Sequence, residues 1–265
     1  MTGKILHLML ALMLLGLGGL PAAKSAAAPI ATTTATRTPV RTTTPTAPPT
    51  PTATATVDVH GLPWKAEVAG MWGYGQLFGL SCESRSAADW ARHFHIDIRE
   101  RAFLGALPRS PNPDAGFVGS HEGGWGNIPP LDYGVHAGPV ARLLRQGYGA
   151  HALAVRQMTF ERLRREIATG RPVIVWVTGH VAPGKGETVE IDGQTVTVAR
   201  YEHTVIVTGY DTKNVKILDG KQVYTRSIEV FLKAWSPLEN MAIIWDEASV
   251  GRQMERQAVK KEYTH

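Results

Sequence analysis

Gly75-Gln-Leu-Phe-Gly-Leu-Ser-Cys82-Glu-Ser84 is the segment in which a glycine-containing loop passes into an amphipathic helical pattern, and it holds the only cysteine of this 265-residue chain. A thiol without a disulfide partner in its own chain is free to react. The spacing of apolar residues predicts a helix from Cys82 to Phe94, with Cys82 in its first turn. The unpaired N–H groups and the positive dipole end of that turn favour a thiolate over a thiol. We therefore predict that Cys82 is a nucleophile.

The first residues have the composition of an export signal. Lys4 is followed by an apolar run from Ile5 to Leu20 and by small residues up to Ala28, which predicts a signal peptide over residues 1–28. The run is shorter than the about 20 residues of a spanning helix. We therefore predict cleavage and an extracytoplasmic location, secreted or at the cell surface, without stable membrane insertion. A retained membrane anchor is the alternative.

The rest of the chain divides by composition into three parts. Residues 29–57 contain 13 threonines and 6 prolines but no aromatic residue, too little apolar surface to offset the ordering entropy, so we predict a disordered stalk. Residues 58–247 carry all seven tryptophans and suffice for one domain with a substantial core. Residues 248–265 form a polar tail. The domain has 20 Lys and Arg against 21 Asp and Glu, so the overall charge of +5 arises at the ends and binding to nucleic acid is not supported.

The second half of the domain is typical of a β-sheet. Asp192-Gly193 interrupts the alternating residues of Thr188–Val198, which is a strong hairpin signal, and we place this hairpin at the rim. Thr159 and Ser227 can each cap a helix. Short β-branched runs predict strands over Val173–Thr178, Thr204–Thr208, Val215–Leu218 and Met241–Trp245. Leading helices and following strands of a mainly antiparallel sheet predict the α+β class.

A thiolate nucleophile needs a general base, and His203 is the best placed of the ten histidines. It opens the strand Thr204–Thr208, and Asp219 closes the strand that follows. A hairpin brings the first residue of one strand level with the last residue of the next. Asp219 can therefore fix the tautomer of His203 that faces the sulfur. His180, which also follows a strand, is the alternative base.

The oxyanion of a tetrahedral intermediate needs hydrogen-bond donors placed in advance. Gln76, six residues before Cys82, can supply a side-chain amide beside the Cys82 backbone N–H. We expect no cofactor and no metal site. His93 and His95 would point apart on a helix, and no further ligand cluster stands near them in the sequence.

These residues together resemble the papain-like cysteine peptidases related to the enzymes that cleave bacteriocin leaders after a double glycine, in the stand-alone form carried by secreted bacterial proteins. The resemblance rests on Gln76 and Cys82, on His203-Thr-Val-Ile-Val-Thr-Gly-Tyr-Asp211 and on Ile217-Leu-Asp-Gly220. It covers nearly the whole domain, because further stretches agree, namely Asn112–Gly119, Tyr133–Ala137 and Arg171–Val177.

The resemblance implies a papain-like fold in which an N-terminal helical part packs on a mainly antiparallel sheet. It also implies four catalytic roles: Cys82 as nucleophile, His203 as base, Asp219 as the residue that orients the base, and Gln76 as oxyanion donor.

The residues that flank the cysteine depart from the family pattern. Glycine or asparagine commonly precedes the cysteine and glycine or proline follows it, whereas this chain has Ser81 and Glu83. A negative charge on Glu83 beside the thiol would raise the thiol pKa and partly offset the effect of the helix end.

The connection from Arg99 to Pro139 is rich in glycine and proline. Connections of this length usually carry binding surface. We predict that it walls the substrate cleft, with Trp125, Phe117 and Tyr133 as apolar contacts.

The predicted function is hydrolysis of peptide or amide bonds in a peptide or protein substrate, by a secreted or surface-tethered cysteine peptidase. Two alternatives stay open. One is an amidase or transpeptidase that acts on cell-wall peptides, and the other is a surface binding module that kept the fold and lost the chemistry. The sequence does not indicate the substrate or the oligomeric state.

Overall fold

The structure, a computed structural model, describes residues 57–248. The predicted signal peptide, the predicted stalk up to residue 56 and the tail after residue 248 lie outside the described residues. Within 57–248, every helix is too short or too polar for a membrane span.

Most helices of the described part lie in its first half, and most strands follow in its second half. The helices are α1 (Cys82–His93), α2 (Glu100–Ala106), α3 (Ala137–Tyr148), α4 (Phe160–Ala168) and α5 (Ile228–Trp235), with a short 3-10 helix at Ser236–Leu238. The strands are β1 (Ala66–Glu67), β2 (Ala152–Val155), β3 (Val173–Thr178), β4 (Gly186–Ile191), β5 (Gln194–Ala199), β6 (Glu202–Tyr210), β7 (Asn214–Asp219), β8 (Gln222–Ser227) and β9 (Ala242–Trp245).

One antiparallel sheet forms the centre of the molecule. Its strand order is β2-β9-β3-β6-β7-β8, and β1 pairs with the end of β6. Every pair in it is antiparallel, which confirms the predicted α+β class with a mainly antiparallel sheet. The central strands β3 and β6 are buried along their whole length, because helices cover both faces of the sheet.

Alternate residues of β3 face two separate cores. Ile174 and Trp176 belong to the core that contains Trp90 of α1 and Leu144 of α3. On the other face, the valines of β3 join apolar side chains of α4 and α5: Val173, Val175, Val177, Leu163, Ile167, Phe231 and Trp235. Burial of a large aliphatic or aromatic side chain contributes about 1.5–3 kcal/mol, so these two layers dominate the packing energy.

The predicted helix boundaries agree with the structure where a capping residue is present. Thr159 precedes α4 and its side chain accepts a hydrogen bond from the Arg162 N–H. Ser227 precedes α5 and accepts from the Val230 N–H. Helix α1 begins at Cys82 as expected.

The predicted hairpin forms a separate two-stranded sheet, β4–β5. Ile191 faces Gln194, so Asp192 and Gly193 are the two turn residues. Both have positive φ, 52° and 73°, which is the backbone that makes aspartate followed by glycine favourable at such a turn.

The segment Arg99–Pro139 is not one long loop, contrary to the prediction. Its first part is helix α2, and its last residues already belong to α3. The N-terminal flank of α2, Arg99, makes no side-chain capping bond, and Pro139 lies in the first turn of α3, where proline is tolerated. Neither helix therefore carries the capping signal that identified α4 and α5.

Candidate active site

A cavity of about 200 Å³ lies at the N-terminus of α1. Its lining consists of Gln76, Gly79, Cys82, Trp125, His180 and His203. Cys82 is the first residue of α1, whereas His203 is the second residue of β6. The helix is fastened to this strand, since Ser86 Oγ donates to the Thr204 carbonyl at 3.2 Å. The packing of α1 on β6 thus brings the thiol and the imidazole, 121 positions apart in sequence, to one cavity.

Asp219 holds the imidazole of His203. The distance from His203 Nε2 to Asp219 Oδ1 is 2.8 Å. A bulge in the β6–β7 ladder leaves Ile206 opposite Leu218; continuing that register puts His203 diagonal to Asp219, within side-chain reach. Because Nε2 is engaged by Asp219, Nδ1 is the ring nitrogen that remains for proton exchange with a substrate or nucleophile.

The other carboxylate oxygen of Asp219 has two further partners. Tyr224 donates its hydroxyl proton to Oδ2 at 2.9 Å, and His180 Nδ1 lies 3.1 Å from the same atom. Burial alone would raise the pKa of Asp219, but the hydrogen bonds from His203, His180 and Tyr224 outweigh it and lower the pKa to about 2. Asp219 is therefore ionised at neutral pH.

The thiol of Cys82 is not the resting thiolate that the helix end predicted. Cys82 is only 5% exposed, and burial raises the pKa of its thiol well above the ordinary value; the charges of Glu83 and Glu202 raise it further, while hydrogen bonding with Thr204 opposes them. This expectation was wrong because desolvation of the anion exceeds the stabilisation from the helix terminus. A neutral thiol needs a base to remove its proton.

Two buried carboxyl groups lie beside the sulfur. Glu83 Oε2 is 3.4 Å from Cys82 Sγ, and Glu83 Oε1 accepts the Val135 N–H at 2.7 Å. Burial raises the pKa of Glu83 to about 7. Glu202 is 3% exposed, and neither of its carboxylate oxygens has a hydrogen-bond partner among the described residues. Burial, with the charge of Glu83, raises the pKa of Glu202 well above its usual range.

Sequence reasoning did not identify Glu202. A signal was present, since an acidic residue directly precedes the candidate base at the start of an otherwise apolar strand, Glu202-His203-Thr-Val-Ile-Val207. A glutamate in an apolar strand either lies at the exposed edge of the sheet or is buried, and a buried glutamate is rare unless it is paired.

Gln76 lies on the cavity wall, next to the loop that leads into α1. Its Nε2 donates to the carbonyl oxygens of Phe78 at 2.7 Å and Gly79 at 3.0 Å. Both amide protons are thus engaged with the loop in this structure, so one must be released before Gln76 can serve an oxyanion.

Of the three predicted substrate contacts, only Trp125 lies at the cavity. It is 41% exposed, and its indole N–H donates to the Glu202 carbonyl at 2.7 Å. Its ring lies against His203, with 6.1 Å between ring centroids.

The predictions for Phe117 and Tyr133 were wrong. Phe117 is 1% exposed and belongs to the core that includes α1 and α3. Tyr133 is buried against β5, where its hydroxyl accepts the Ala199 N–H at 3.3 Å. Both rings lie in buried apolar clusters, where they attach the irregular segment that carries them to the rest of the domain.

Within residues 57–248, the histidines other than His180 and His203 do not line the cavity of Cys82. His93 contacts the Gly170 carbonyl at 3.0 Å, at the far end of α1. Among residues 57–248, two groups bring three possible metal-ligand atoms within 4.8 Å of one another, namely His180 with His203 and Asp219, and Cys82 with Glu83 and Glu202. The hydrogen bonds to Asp219 already account for the first group.

Comparison with known proteins supports the fold. The sequence profile of the Peptidase C39-like family matches residues 68–243. The chain belongs to the Peptidase C39-like family. The crystal structure of a proposed C39-like peptidase from Bacillus anthracis superposes with a TM-score of 0.61 at 24% identity, over 69% of this chain and 97% of that one. This likeness confirms the papain-like α+β fold.

Two further proteins are similar to the chain. The uncharacterized protein YvpB of Bacillus subtilis (strain 168) is 27% identical in an alignment of 175 positions, and the match covers 62% of this chain and 68% of YvpB. Xylellain, a cysteine protease from Xylella fastidiosa, is 16% identical with a TM-score of 0.38, over 70% of this chain and 86% of that protein. Membership of the Peptidase C39-like family thus rests on the profile match, and the fold on the Bacillus anthracis structure.

Proposed function

We propose that this protein is a thiol hydrolase that cleaves peptide or amide bonds through Cys82, His203 and Asp219. The observation that carries the proposal is that Cys82 and His203 line one cavity while Asp219 holds His203 Nε2 at 2.8 Å. A nucleophile, a base and a group that orients the base are the arrangement of acyl-transfer catalysis. Membership of the Peptidase C39-like family supports a peptide or protein substrate.

The reaction begins with proton transfer. His203 Nδ1 takes the proton of the Cys82 thiol, and the imidazolium that forms is stabilised by the ionised Asp219. The thiolate attacks the carbonyl carbon of the scissile bond. The Cys82 backbone N–H at the start of α1 and Gln76 Nε2, once released from its loop carbonyls, donate to the oxyanion.

Collapse of the intermediate completes the cycle. His203 gives its proton to the leaving amine, and the acyl group stays on Cys82 as a thioester. A water molecule, deprotonated by His203, hydrolyses the thioester and restores the thiol. The signal peptide that the sequence predicts over residues 1–28 supports a location of this reaction outside the cytoplasm, on a secreted or surface-tethered protein.

Alkylation by iodoacetamide tests the pairing of Cys82 with His203, because this chain has a single cysteine and every label reports on it. We expect the wild type to need His203 for alkylation near neutral pH, because burial raises the pKa of the Cys82 thiol and a neutral thiol needs a base to lose its proton. His203→Ala should therefore react more slowly at pH 7 and move the alkylation curve to higher pH, and Cys82→Ser should take no label.

Hydrolysis of a mixed peptide library by the wild type, absent in Cys82→Ser, completes the test. Alkylation that follows the same pH curve in the wild type and His203→Ala would contradict the proposed pair. It would favour the reading of a binding module without catalysis.

A further inference from the structure

Glu83 and Glu202 form a buried carboxyl pair directly beneath the nucleophile. The sulfur of Cys82 and a carboxylate oxygen from each acid all lie within 4.8 Å of one another. Glu83 is 1% exposed. Tyr133 is a further titratable group that faces the pair, and its pKa is raised well above its usual value by burial and then by Glu202 and Glu83. His203, next in sequence to Glu202, directs Nε2 to Asp219 instead.

The pair lacks the cation that other buried acids of this domain receive. Further along α1, the buried Asp89 pairs with Arg85 at 2.6 Å, and the buried Glu100 pairs with the same guanidinium at 3.2 Å. Among the described residues, Glu83 and Glu202 have no such ion pair. A buried carboxylate without a counter-charge is disfavoured relative to the neutral acid, and two such carboxylates within 4.8 Å repel each other.

The backbone is shaped to admit the pair. Gly134 has φ of 125°, and a β-carbon there would lie 2.2 Å from Glu83 Oε1 and 3.3 Å from Glu202 Oε2. The following N–H, of Val135, donates to Glu83 Oε1. One oxygen of Glu83 is thus fixed by the backbone, which leaves Oε2 beside the sulfur.

We propose that Glu83 is a neutral carboxylic acid in the active protein and donates its proton in a hydrogen bond to the Cys82 thiolate as that thiolate forms, with Glu202 held neutral behind it, so that loss of the Glu83 proton disables the nucleophile. This inference rests on the proposed function. It reverses the expectation from sequence that Glu83 only opposes the thiolate.

The pH at which Glu83 loses its proton follows from its buried position. Its pKa, raised to about 7 by burial, means that the acid loses its proton to solvent above neutral pH. The carboxylate then faces Sγ at 3.4 Å and opposes formation of a second negative charge. Glu83 contacts the reacting sulfur directly, although it does not line the cavity.

The test compares pH profiles of the wild type, Glu83→Gln and a control, Glu122→Gln, which removes an exposed acid from the loop 120–125. Both the second-order rate of iodoacetamide alkylation and kcat/KM for a cleaved peptide are measured from pH 5 to 9 in buffers that contain EDTA. In the wild type and Glu122→Gln we expect kcat/KM to fall by up to about tenfold per pH unit above about pH 7. Glu83→Gln, which cannot ionise and still offers an N–H donor, should keep its neutral value across that range.

An alkaline fall of equal position in a folded Glu83→Gln would overturn the inference. Infrared spectroscopy of the wild type gives a second reading that needs no variant. The C=O band of a protonated carboxylic acid should be present at pH 6 and weaken between pH 6 and 9, and its absence at pH 6 would also overturn the inference. The alkylation profiles distinguish this inference from the proposed function. If Glu83→Gln shifts the pH profile of alkylation but His203→Ala does not, the effect of Glu83 on Cys82 is supported and the proposed hydrolase is contradicted.

Discussion

At the scale of single residues, Asp219 has the most hydrogen-bonded carboxylate in the candidate site. It accepts from His203, Tyr224 and His180, and these bonds hold it ionised with a pKa of about 2 despite burial. An ionised partner selects the imidazole tautomer with the proton on Nε2, which leaves Nδ1 to act as a base.

Replacement of Asp219 by asparagine should therefore affect the chemical step more than binding. Asparagine keeps the shape but can present its amide to His203 and select the wrong tautomer, so we expect kcat to fall by about 10³-fold to 10⁴-fold. The measurement is kcat and KM on the cleaved peptide. Asp211→Asn is the matched control, since Asp211 accepts from the backbone N–H groups of Lys213 and Asn214 and from the Asn214 side-chain amide, all within the β6–β7 turn. Equal kcat in Asp219→Asn and the control would show that Asp219 does not orient the base.

Variants of Trp125 and Phe117 can distinguish a residue that contacts substrate from one that only packs the core. Trp125 lines the cavity and is partly exposed, so Trp125→Ala should raise KM with little change in Tm. Phe117 is buried, so Phe117→Ala should lower stability by about 3–5 kcal/mol and leave KM unchanged in the fraction that stays folded. Steady-state kinetics and thermal denaturation of both variants check this. A lower Tm with unchanged KM in Trp125→Ala would instead place Trp125 with the packing residues.

The residues of the site differ in how far the sequence could predict them. Cys82 and the pair His203 and Asp219 were accessible, because a lone cysteine and the two ends of a predicted hairpin are local signals. Glu202 was not accessible, since its burial depends on the packing of α1 on β6. Phe117 and Tyr133 were misassigned because an aromatic side chain has the same appearance in sequence whether it faces a substrate or the interior.

At the scale of secondary structure, the accuracy of prediction follows the presence of capping and turn residues. Helices α4 and α5 have Thr159 and Ser227 as caps, and the β4–β5 hairpin has Asp192-Gly193. Helices α2 and α3 lack side-chain caps. Strand β8 lies at the edge of the sheet and has no buried residue, so its sequence carries little apolar pattern. These elements are fixed by contacts distant in sequence, which local patterns do not contain.

The cap of α5 offers a direct test of this view. Ser227 Oγ accepts the Val230 N–H at 3.2 Å, and we expect Ser227→Ala to reduce the free energy of unfolding by about 1 kcal/mol. Ser227→Asn retains an acceptor and should stay within a few tenths of a kcal/mol of the wild type. Urea denaturation of the three proteins provides the comparison. Equal losses in the alanine and asparagine variants would mean that the hydroxyl acts by something other than capping.

At the scale of the whole molecule, the candidate site lies where the two layers of the fold meet. Helix α1 covers one face of the sheet and supplies Cys82, while the ends of β6 and β7 supply His203 and Asp219. Two apolar cores hold these elements together. The same packing that positions Cys82 also buries Glu83 and Glu202. Burial opposes the ionisation of both acids.

Enclosure of Glu83 should make the stability of the protein depend on pH in a direction unusual for an acid. Its pKa is raised to about 7 in the folded protein, against about 4.3 in an unfolded chain. Between these values the folded protein holds a proton that the unfolded chain has released, so the free energy of unfolding decreases as pH rises from about 4.5 to 7. The loss attributable to Glu83 is on the order of 3 kcal/mol. Asp219 acts in the opposite direction, because its lowered pKa removes stability only as the pH falls from about 4 toward 2.

Glu83→Gln removes this dependence on pH, and we expect the variant to exceed the wild type in stability at pH 8 and to approach it at pH 5. Urea midpoints measured at intervals from pH 5 to 8 give the two curves, with Glu122→Gln as the control that loses an exposed acid and should follow the wild type. Curves for Glu83→Gln and the wild type that run parallel over this range would mean that Glu83 is ionised throughout. In that case the ionised carboxylate of Glu83 would need a counter-charge, and a cation bound between Glu83 and Glu202 would take the place of the proton.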